Sequence, residues 1–284
     1  MFEFVEYLTR GALIGVTYGL LAFPVSLLFS TTGSVDVALG AYAVLAAAVM
    51  YATGGPVGVI AAIGVAVLAS AIVGVISMRL NRPGHIDHVI AVLGTFGLAT
   101  FIESFILTSF GSTPMIRQPF STFWDIGGIR MSPQMGINVA VCLVVLCALF
   151  VVLQKTPFGR AMRASAVNPV GAELNGIPVK RIWFSTYVLG GLLAGVAGIL
   201  ILFTTGADYS TSFNLTIWGF GSAIIFGMRS PLRGFAGGLV IGMVQALSAG
   251  YLPGAWSTAT PFIFIFVILS MGRMNQIAST GGRV

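Results

Sequence analysis

Charge is scarce in this sequence. Only 8% of the 284 residues are Asp, Glu, Lys or Arg, whereas soluble domains carry roughly 25%. Hydrophobic residues make up 57%, and the 37 glycines are scattered through apolar runs, where membrane helices use them for close packing. The composition excludes a water-soluble domain and indicates an all-α polytopic membrane protein.

The few charges are also unbalanced, with 14 Lys and Arg against 8 Asp and Glu. A net charge of +6 can indicate a nucleic-acid partner, but no patch of basic and aromatic residues accompanies it. Membrane proteins concentrate Lys and Arg in their cytoplasmic loops, and this explains the excess. We therefore expect membrane lipid, and no nucleic acid, around this chain.

Groups suited to catalysis or metal binding are equally few. The spacing of Cys142 and Cys147 points them to different faces of one helix, which disfavours a disulfide or a shared metal. His85 and His88 flank Asp87 without a further Cys or carboxylate nearby, so a solvated helix cap is favoured over a metal site. The phosphate-binding pattern G-x-x-x-x-G-K-[ST] is absent. The chain is therefore expected to bind no metal, cofactor or nucleotide, and to have no catalytic residue.

Apolar windows predict the number of spans. Three of them, 33–52, 213–229 and 259–271, are short or are interrupted by polar residues and glycines. With six clear windows, we expect about 8–9 transmembrane helices, some of them broken or short. The clear windows, each long enough to cross about 30 Å of hydrocarbon, lie near 11–30, 55–78, 89–109, 135–153, 182–206 and 232–252.

Cationic segments predict the orientation of these spans. Counting spans between them places all of them on one side, which the positive-inside rule makes cytoplasmic. The long loop 110–134 then faces outward, and its stretch WDIGGIRM has a Gly-Gly pair between β-forming residues that predicts a small hairpin. The side of the N-terminus stays open, because it depends on whether 33–52 crosses fully. The cationic segments are the loop around Arg79 and Arg82, the loop 154–181, the turn with Arg229 and Arg233, and the tail with Arg273 and Arg283.

Two short stretches resemble each other. LLFSTTG (27–33) and LFTTG (202–206) end two spans on opposite sides in a nine-span count. Inverted repeats are common in transporters, although so short a match in apolar sequence also arises by chance. The pattern therefore raises an inverted repeat as a hypothesis.

Two carboxylates, Asp36 and Glu103, fall within apolar segments. Ionisable groups in a membrane are rare and are candidates for a function by default, and a proton-coupled carrier would use such groups. The structural alternatives are that Asp36 caps a short or broken helix, and that Glu103 lies near the outer interface or bonds a neighbouring helix. With Gly40, Thr95 and Trp218, these two residues are our candidates for a substrate pathway.

The loop between the fourth and fifth clear windows has strong local signals. Thr156 and Asn168 each precede a proline, the pattern of a helix N-cap followed by the first helical residue. Gly176 stands where a short helix would end. We therefore predict two short cytoplasmic helices, near 157–166 and 169–175, whose small residues allow another surface to approach. These small residues are Ala161, Ala164, Ala166, Gly171 and Ala172.

The stretch TPFGRAMRASAVNPVGAELNGIPVKR (156–181) resembles the cytoplasmic coupling loop of permease subunits from bacterial branched-chain amino acid-type ABC importers. In that family a Gly-Arg-x-x-Arg-Ala segment leads through Asn/Asp-Pro to an Ala…Gly-Ile ending. The likeness continues over nearly the whole chain, through 11–22, 126–134, 189–200 and 234–247. The candidate residues for coupling to an ATPase are Gly159, Arg160, Arg163, Ala164, Asn168, Pro169, Ala172, Glu173 and Gly176.

The resemblance implies that residues 1–284 form a single transmembrane permease domain of an ATP-driven importer in the bacterial cytoplasmic (inner) membrane. The chain would translocate a small solute, such as a branched-chain or other hydrophobic amino acid, delivered by an external solute-binding protein. It would assemble with a second permease subunit, homologous or identical, and with two ATPase subunits that bind ATP and Mg. The chain itself would be a transport subunit and not an enzyme.

The sequence departs from the family pattern at 36–40, where DVALG replaces the usual Asn-Phe-Ala-His-Gly. This segment is expected near the pathway, so the resemblance does not fix the solute, and relatives also carry urea, amides and aromatic acids. Two other functions stay open: a proton-coupled secondary transporter using Asp36 and Glu103, and a channel or membrane scaffold. Neither of these needs a coupling loop.

Overall fold

Helices account for most of the described chain, as the apolar windows predict. The computed structural model describes residues 2–80, 88–120, 124–126, 129–228 and 230–280. The elements are α1 (Phe2–Thr32), α2 (Leu39–Thr53), α3 (Gly55–Leu80), α4 (His88–Phe110), β1 (Trp124–Ile126), β2 (Ile129–Met131), α5 (Pro133–Lys155), α6 (Pro157–Val167), α7 (Pro169–Leu174), α8 (Val179–Leu202), α9 (Thr211–Ile225), α10 (Pro231–Tyr251) and α11 (Gly254–Thr280).

Helix length separates the clear spans from the marginal ones. Six helices, α1, α3, α4, α5, α8 and α10, are long and apolar enough to cross a membrane. α2 and α9 have 15 residues each, so at about 22 Å they are shorter than the hydrocarbon layer of roughly 30 Å. The apolar part of α11 is Trp256–Met271, which extends beyond the predicted window 259–271. The expected all-α polytopic fold, with some short helices, is confirmed.

Contacts between helix ends give the direction of each span. The indole N–H of Trp183, at the start of α8, donates to the carbonyl of Thr31, at the end of α1 (3.1 Å), so these helices are antiparallel. Tyr7, near the start of α1, meets Tyr251, at the end of α10, with ring centroids 5.6 Å apart. Because the cationic loop before α8 is cytoplasmic by the positive-inside rule, α1 begins on the external side.

The segment 33–53 crosses the membrane, which answers the question that the sequence leaves open. It starts at the cytoplasmic end of α1 and reaches the external loop, where Arg117 donates to the carbonyl of Tyr51 (2.8 Å). The N-terminus is therefore external. Antiparallel packing puts Arg79 and Arg233 at the cytoplasmic end with the loop 154–181, as predicted. Arg82, Arg229 and Arg283 lie outside the described residues, as does the side chain of Arg273.

The two halves of the chain contain the same broken arrangement in opposite directions. α1 and α8 are each followed by a glycine with positive φ, Gly33 (69°) and Gly206 (75°), and then by an extended connection to a 15-residue helix. In each connection an aspartate, Asp36 or Asp208, accepts a backbone N–H at the start of the next helix (2.8 Å in both). α1 packs against α10, and α8 packs against α3 in the matching way. These matching features support the inverted repeat that the sequence suggests.

Glycines bring these helix pairs into backbone contact. Gly238 of α10 lies against the backbone of Gly19 in α1, and Gly198 of α8 lies against the carbonyl of Ala43 in α2. A Cβ at either Gly238 or Gly198 would meet backbone atoms, so the helices would have to separate. We call the non-helical connections 33–38 and 203–210 the two breaks. The close contacts hold the helices on either side of these breaks in position relative to each other.

The external loop carries the predicted hairpin. β1 and β2 are antiparallel, with Ile126 opposite Ile129. The predicted Gly-Gly turn between them lies outside the described residues. Earlier in the same loop, Met115 pairs with Ala207 through two backbone hydrogen bonds (2.8 and 2.9 Å). The external loop is thereby tied to the connection between α8 and α9.

Candidate functional site

The loop between α5 and α8 forms two capped helices, as its sequence predicts. Thr156 Oγ1 accepts from the backbone N–H of Gly159 (3.3 Å), and Asn168 Oδ1 accepts from that of Gly171 (2.9 Å). Proline at the first helical position lacks the N–H that would otherwise have no partner. Gly176 has φ 80° and follows the end of α7. The bounds of α6 and α7 agree with the predicted ones to within one residue.

The inner face of α6 and α7 is packed against the rest of the chain. Gly159 lies against the carbonyl of Leu153, where a Cβ would clash. The guanidinium of Arg163 donates to that carbonyl and to Gln154 Oε1 (3.3 Å). Ala172 is buried in a small apolar cluster with the start of α8. These predicted coupling residues therefore hold the loop to its own fold.

The outer face of the same helices carries exposed apolar side chains. Val167 and Leu174 are 88% and 84% exposed, and Val170 between them is 43% exposed. We call these three residues the apolar row. The prediction from small residues did not include these three side chains, of which Val167 ends α6 while Val170 and Leu174 belong to α7. The predicted coupling residues that are exposed are Arg160, Arg163, Ala164, Asn168, Glu173 and Gly176.

Side chains from α4 and α9 meet at the break before α2. Thr95 Oγ1 accepts from the backbone N–H of Val37 (3.2 Å), and Thr216 Oγ1 accepts from that of Gly40 (3.2 Å). The Thr216 hydroxyl also lies within hydrogen-bond distance of the Val37 carbonyl (3.0 Å). These threonines supply the partners that a non-helical backbone inside a membrane protein needs. The structure thus brings the candidates Gly40 and Thr95 together, and it adds Thr216.

Asp36 lies inside this break and is 2% exposed. One carboxylate oxygen accepts from the backbone N–H of Ala38 (2.8 Å), and the other accepts from the hydroxyl of Tyr42 (3.3 Å). Both partners belong to the start of α2. Asp36 therefore bonds the backbone that leads into α2, whose N-cap residue is Ala38 and has no side-chain cap of its own.

A small cleft, with a cavity volume of about 120 Å³, opens beside the break, between α4 and α9. The carboxylate of Glu103 accepts a hydrogen bond from the hydroxyl of Ser212, so it bonds a neighbouring helix as one sequence alternative predicts. In the part of the chain that the structure describes, no cation contacts Glu103. Glu103 is only partly buried and lines the cleft. The lining residues are Val37, Phe96, Ala99, Thr100, Glu103, Ser212, Phe213 and Thr216.

Trp218 lies away from this group of residues. It faces α1 and α11, with its ring 5.0 Å from that of Tyr18 and 6.4 Å from that of Phe262, measured between centroids. Thr216 faces the break before α2, and a side chain two residues further along a helix points elsewhere. The structure therefore does not bring Trp218 together with the other pathway candidates.

The remaining reactive side chains form no described site. Cys142 is buried and Cys147 is exposed, and both are free cysteines. His85 and Asp87 lie outside the described residues, as does the side chain of His88.

The chain matches the model of a known protein family. The family described as "Branched-chain amino acid transport system / permease component" matches residues 7–269. The chain belongs to this family. The match includes the loop 154–181 and both broken regions, confirms the permease function expected from the sequence, and does not support the proton-coupled alternative. With the six apolar helices, it also confirms a multi-pass protein of the bacterial inner membrane.

The chain is similar in sequence to permeases that are named for different solutes. The chain is 25% identical over 289 residues to the high-affinity branched-chain amino acid transport system permease protein LivH of Escherichia coli K12, covering 94% of the chain and 92% of the relative. It is 26% identical over 228 residues to the fructose import permease protein FrcC of Rhizobium meliloti, covering 75% of the chain and 62% of the relative. Among solved structures, PsaBC from Streptococcus pneumoniae in complex with Fab matches with a TM-score of 0.51, 13% identity and 94% coverage of both chains. That last likeness supports the fold alone.

Proposed function

We propose that this chain is the membrane permease subunit of an ATP-driven importer for a branched-chain or other hydrophobic amino acid. An external binding protein delivers the solute, a second permease subunit completes the pathway, and two ATPase subunits with ATP and Mg supply the energy. The family and the nearly full-length likeness to LivH support this proposal.

The apolar row on the coupling loop is the observation that carries the ATPase part. Its side chains stand on a pair of capped helices whose inner face is already packed, so the row has no role in the fold of the described chain. Exposed apolar side chains on two short surface helices can bind in an apolar groove of a partner protein. A secondary transporter has no ATPase to dock and no use for such a surface.

The contacts of the loop lead from this surface to both breaks. Ala172 of α7 packs in one cluster with Trp183 of α8. Trp183 in turn donates to the carbonyl of Thr31, two residues before Gly33. α8 itself runs on to Gly206 at the second break. A nucleotide-driven shift of the loop therefore acts on the two points where the spans are interrupted.

The second permease subunit fits along α4. In the described chain α4 packs mainly on α2, and its side chains Val89, Leu93 and Phe101 are exposed. Glu103 and Thr100 lie on the same helix, and polar groups that face lipid are costly. A partner subunit on this side would close the cleft away from lipid.

Replacement of Leu174 tests the docking surface. Leu174→Asp should abolish co-purification with the ATPase subunits and ATP-driven uptake, because it places a charge in an apolar groove. The matched control is Leu232→Asp, which changes a leucine that is also exposed at the cytoplasmic end but lies in the first turn of α10, where an acidic residue is tolerated. Full complex formation and uptake by Leu174→Asp would refute the proposal.

A further inference from the structure

The cleft between α4 and α9 contains a negative charge that no described cation balances. Among the described residues, the carboxylate of Glu103 has one hydrogen-bond partner, the Ser212 hydroxyl. Asp36 provides the contrast within the same region, since it is buried and both of its oxygens accept hydrogen bonds from the start of α2. Glu103 is partly exposed to the cleft and keeps acceptor capacity free.

The other polar groups of the cleft also present acceptors. A hydroxyl has a single hydrogen, and Ser212 donates its hydrogen to Glu103. Thr100 donates to the carbonyl of Gly97 in its own helix (2.9 Å), and Thr216 is within donating distance of the Val37 carbonyl (3.0 Å). Thr216 also accepts from the Gly40 N–H, so the acceptors left to the cleft are chiefly the oxygens of the Glu103 carboxylate and the Thr100 hydroxyl. Such a lining suits a cationic donor and disfavours an anion.

The walls of the cleft are apolar. Phe96, Ala99 and Phe213 supply most of the remaining lining. An aliphatic amino acid has the matching pair of features, an ammonium with three donors and an apolar side chain.

We infer that Glu103, with Ser212, Thr100 and Thr216, binds the ammonium group of the amino acid as it passes through the permease. This inference rests on the proposed function and deepens it, because it selects solutes that carry an amine over solutes that do not. Glu103 is then a specificity-determining residue, while Asp36 keeps the break in shape.

Thiol chemistry in the cleft tests the charge directly. In the assembled importer with Cys147→Ser, Thr100→Cys places a thiol three residues from Glu103 on the same helix face, while Cys142 stays buried. A cationic methanethiosulfonate should react about tenfold faster than an anionic one, relative to their rates with a free thiol. Glu103→Gln should remove this preference, and Ser212→Ala, which removes the hydrogen bond but not the charge, should keep it.

Protection of the same thiol tests recognition of the amine. Leucine should slow the labelling, whereas 4-methyl-2-hydroxypentanoate at equal concentration, in which a hydroxyl replaces the ammonium, should not. Equal protection by both compounds, or a cationic preference that survives Glu103→Gln, would overturn the inference.

Uptake gives the functional result. In proteoliposomes with the complete importer, Glu103→Gln should lower leucine uptake by about tenfold or more, because the lost interaction is a hydrogen bond to a charged group. Glu103→Asp should retain more uptake, and Glu3→Gln, which removes an exposed charge at the N-terminus, should match the unaltered chain. Unaltered uptake in Glu103→Gln contradicts the inference and leaves the proposed function intact. Absence of ATP-driven leucine uptake in the unaltered importer contradicts the proposed function, and the labelling preference still decides whether the cleft selects cations.

Discussion

At the scale of single residues, Asp36 and Glu103 are alike in the sequence and different in the structure. Each is a lone carboxylate in an apolar segment, so the sequence pattern makes both of them candidates for a function. The partners of Asp36 follow it within a few residues, so the capping alternative could be stated from the sequence. The partner of Glu103 is 109 residues away, on α9, and spacing within one segment cannot predict it.

Substitution of Asp36 should affect stability and not solute choice. Asp36→Ala leaves the Ala38 N–H and the Tyr42 hydroxyl without partners in a buried site, which should lower the free energy of unfolding by about 1–3 kcal/mol. Asp36→Asn keeps one acceptor oxygen and should cost less. Thermal unfolding of the purified protein in detergent measures both changes. A shift in solute preference at unchanged stability would contradict this role.

The glycine contact between α1 and α10 should tolerate no side chain. Gly238→Ala forces a Cβ onto the backbone of Gly19, and overpacking of this kind costs about 1–3 kcal/mol. Gly64→Ala is the matched control, because a Cβ at Gly64 meets open space in α3. Its effect should be neutral or slightly stabilising, since alanine has the higher helix propensity. Equal melting temperatures for the two variants would show that the contact is not tight.

At the scale of elements, the sequence predicts what local chemistry determines. The caps at Thr156 and Asn168 predict α6 and α7 because each cap acts over three residues. The orientation of these helices depends on α5 and α8, which are distant contacts. For this reason the inward position of Ala172 and the outward position of Leu174 were not predicted, and enlarging Ala172 would disturb the loop's own packing.

The cap of α7 should matter for coupling. Asn168→Ala removes the acceptor for the Gly171 N–H and should destabilise this short helix by about 1 kcal/mol, whereas Asn168→Asp should keep the cap. Hydrogen exchange should show faster exchange of the amides of α7 in Asn168→Ala only. The number of ATP molecules hydrolysed for each solute transported should rise in parallel. Slow exchange in the alanine variant would show that packing on α8 alone holds the helix.

At the scale of the whole molecule, six spans and the orientation follow from hydropathy and charge. The crossing of the membrane by 33–53 cannot be predicted in this way. Its helix is short and follows a non-helical connection, so the segment is only a marginal window for a span in the sequence. A close match between two five-residue stretches could only suggest the inverted repeat. The equivalence becomes visible in the paired glycines, aspartates and 15-residue helices of the two breaks.

Uptake by the assembled importer should depend on ATP and not on a proton gradient. A proton-coupled carrier would protonate Asp36 or Glu103 in each cycle. Both carboxylate oxygens of Asp36, however, already accept hydrogen bonds from Ala38 and Tyr42 at the start of α2. Collapse of the gradient with a protonophore at constant ATP should leave leucine uptake in proteoliposomes unchanged. Loss of uptake with the gradient, at intact ATP hydrolysis, would restore the proton-coupled alternative.

The packing of α1 against α10 determines when α1 can reach its final contacts during synthesis. α1 is synthesised before α10, and among the described elements it packs most extensively against α10. At about 5–20 residues per second, the ribosome reaches Gly238 roughly 10–40 s after Gly19. During that interval the glycine face of α1 has no partner from its own chain and must be covered by lipid or by the insertion machinery. A nascent chain that stalls before α10 therefore presents an unpaired helix to membrane proteases, although most of its spans are already in place.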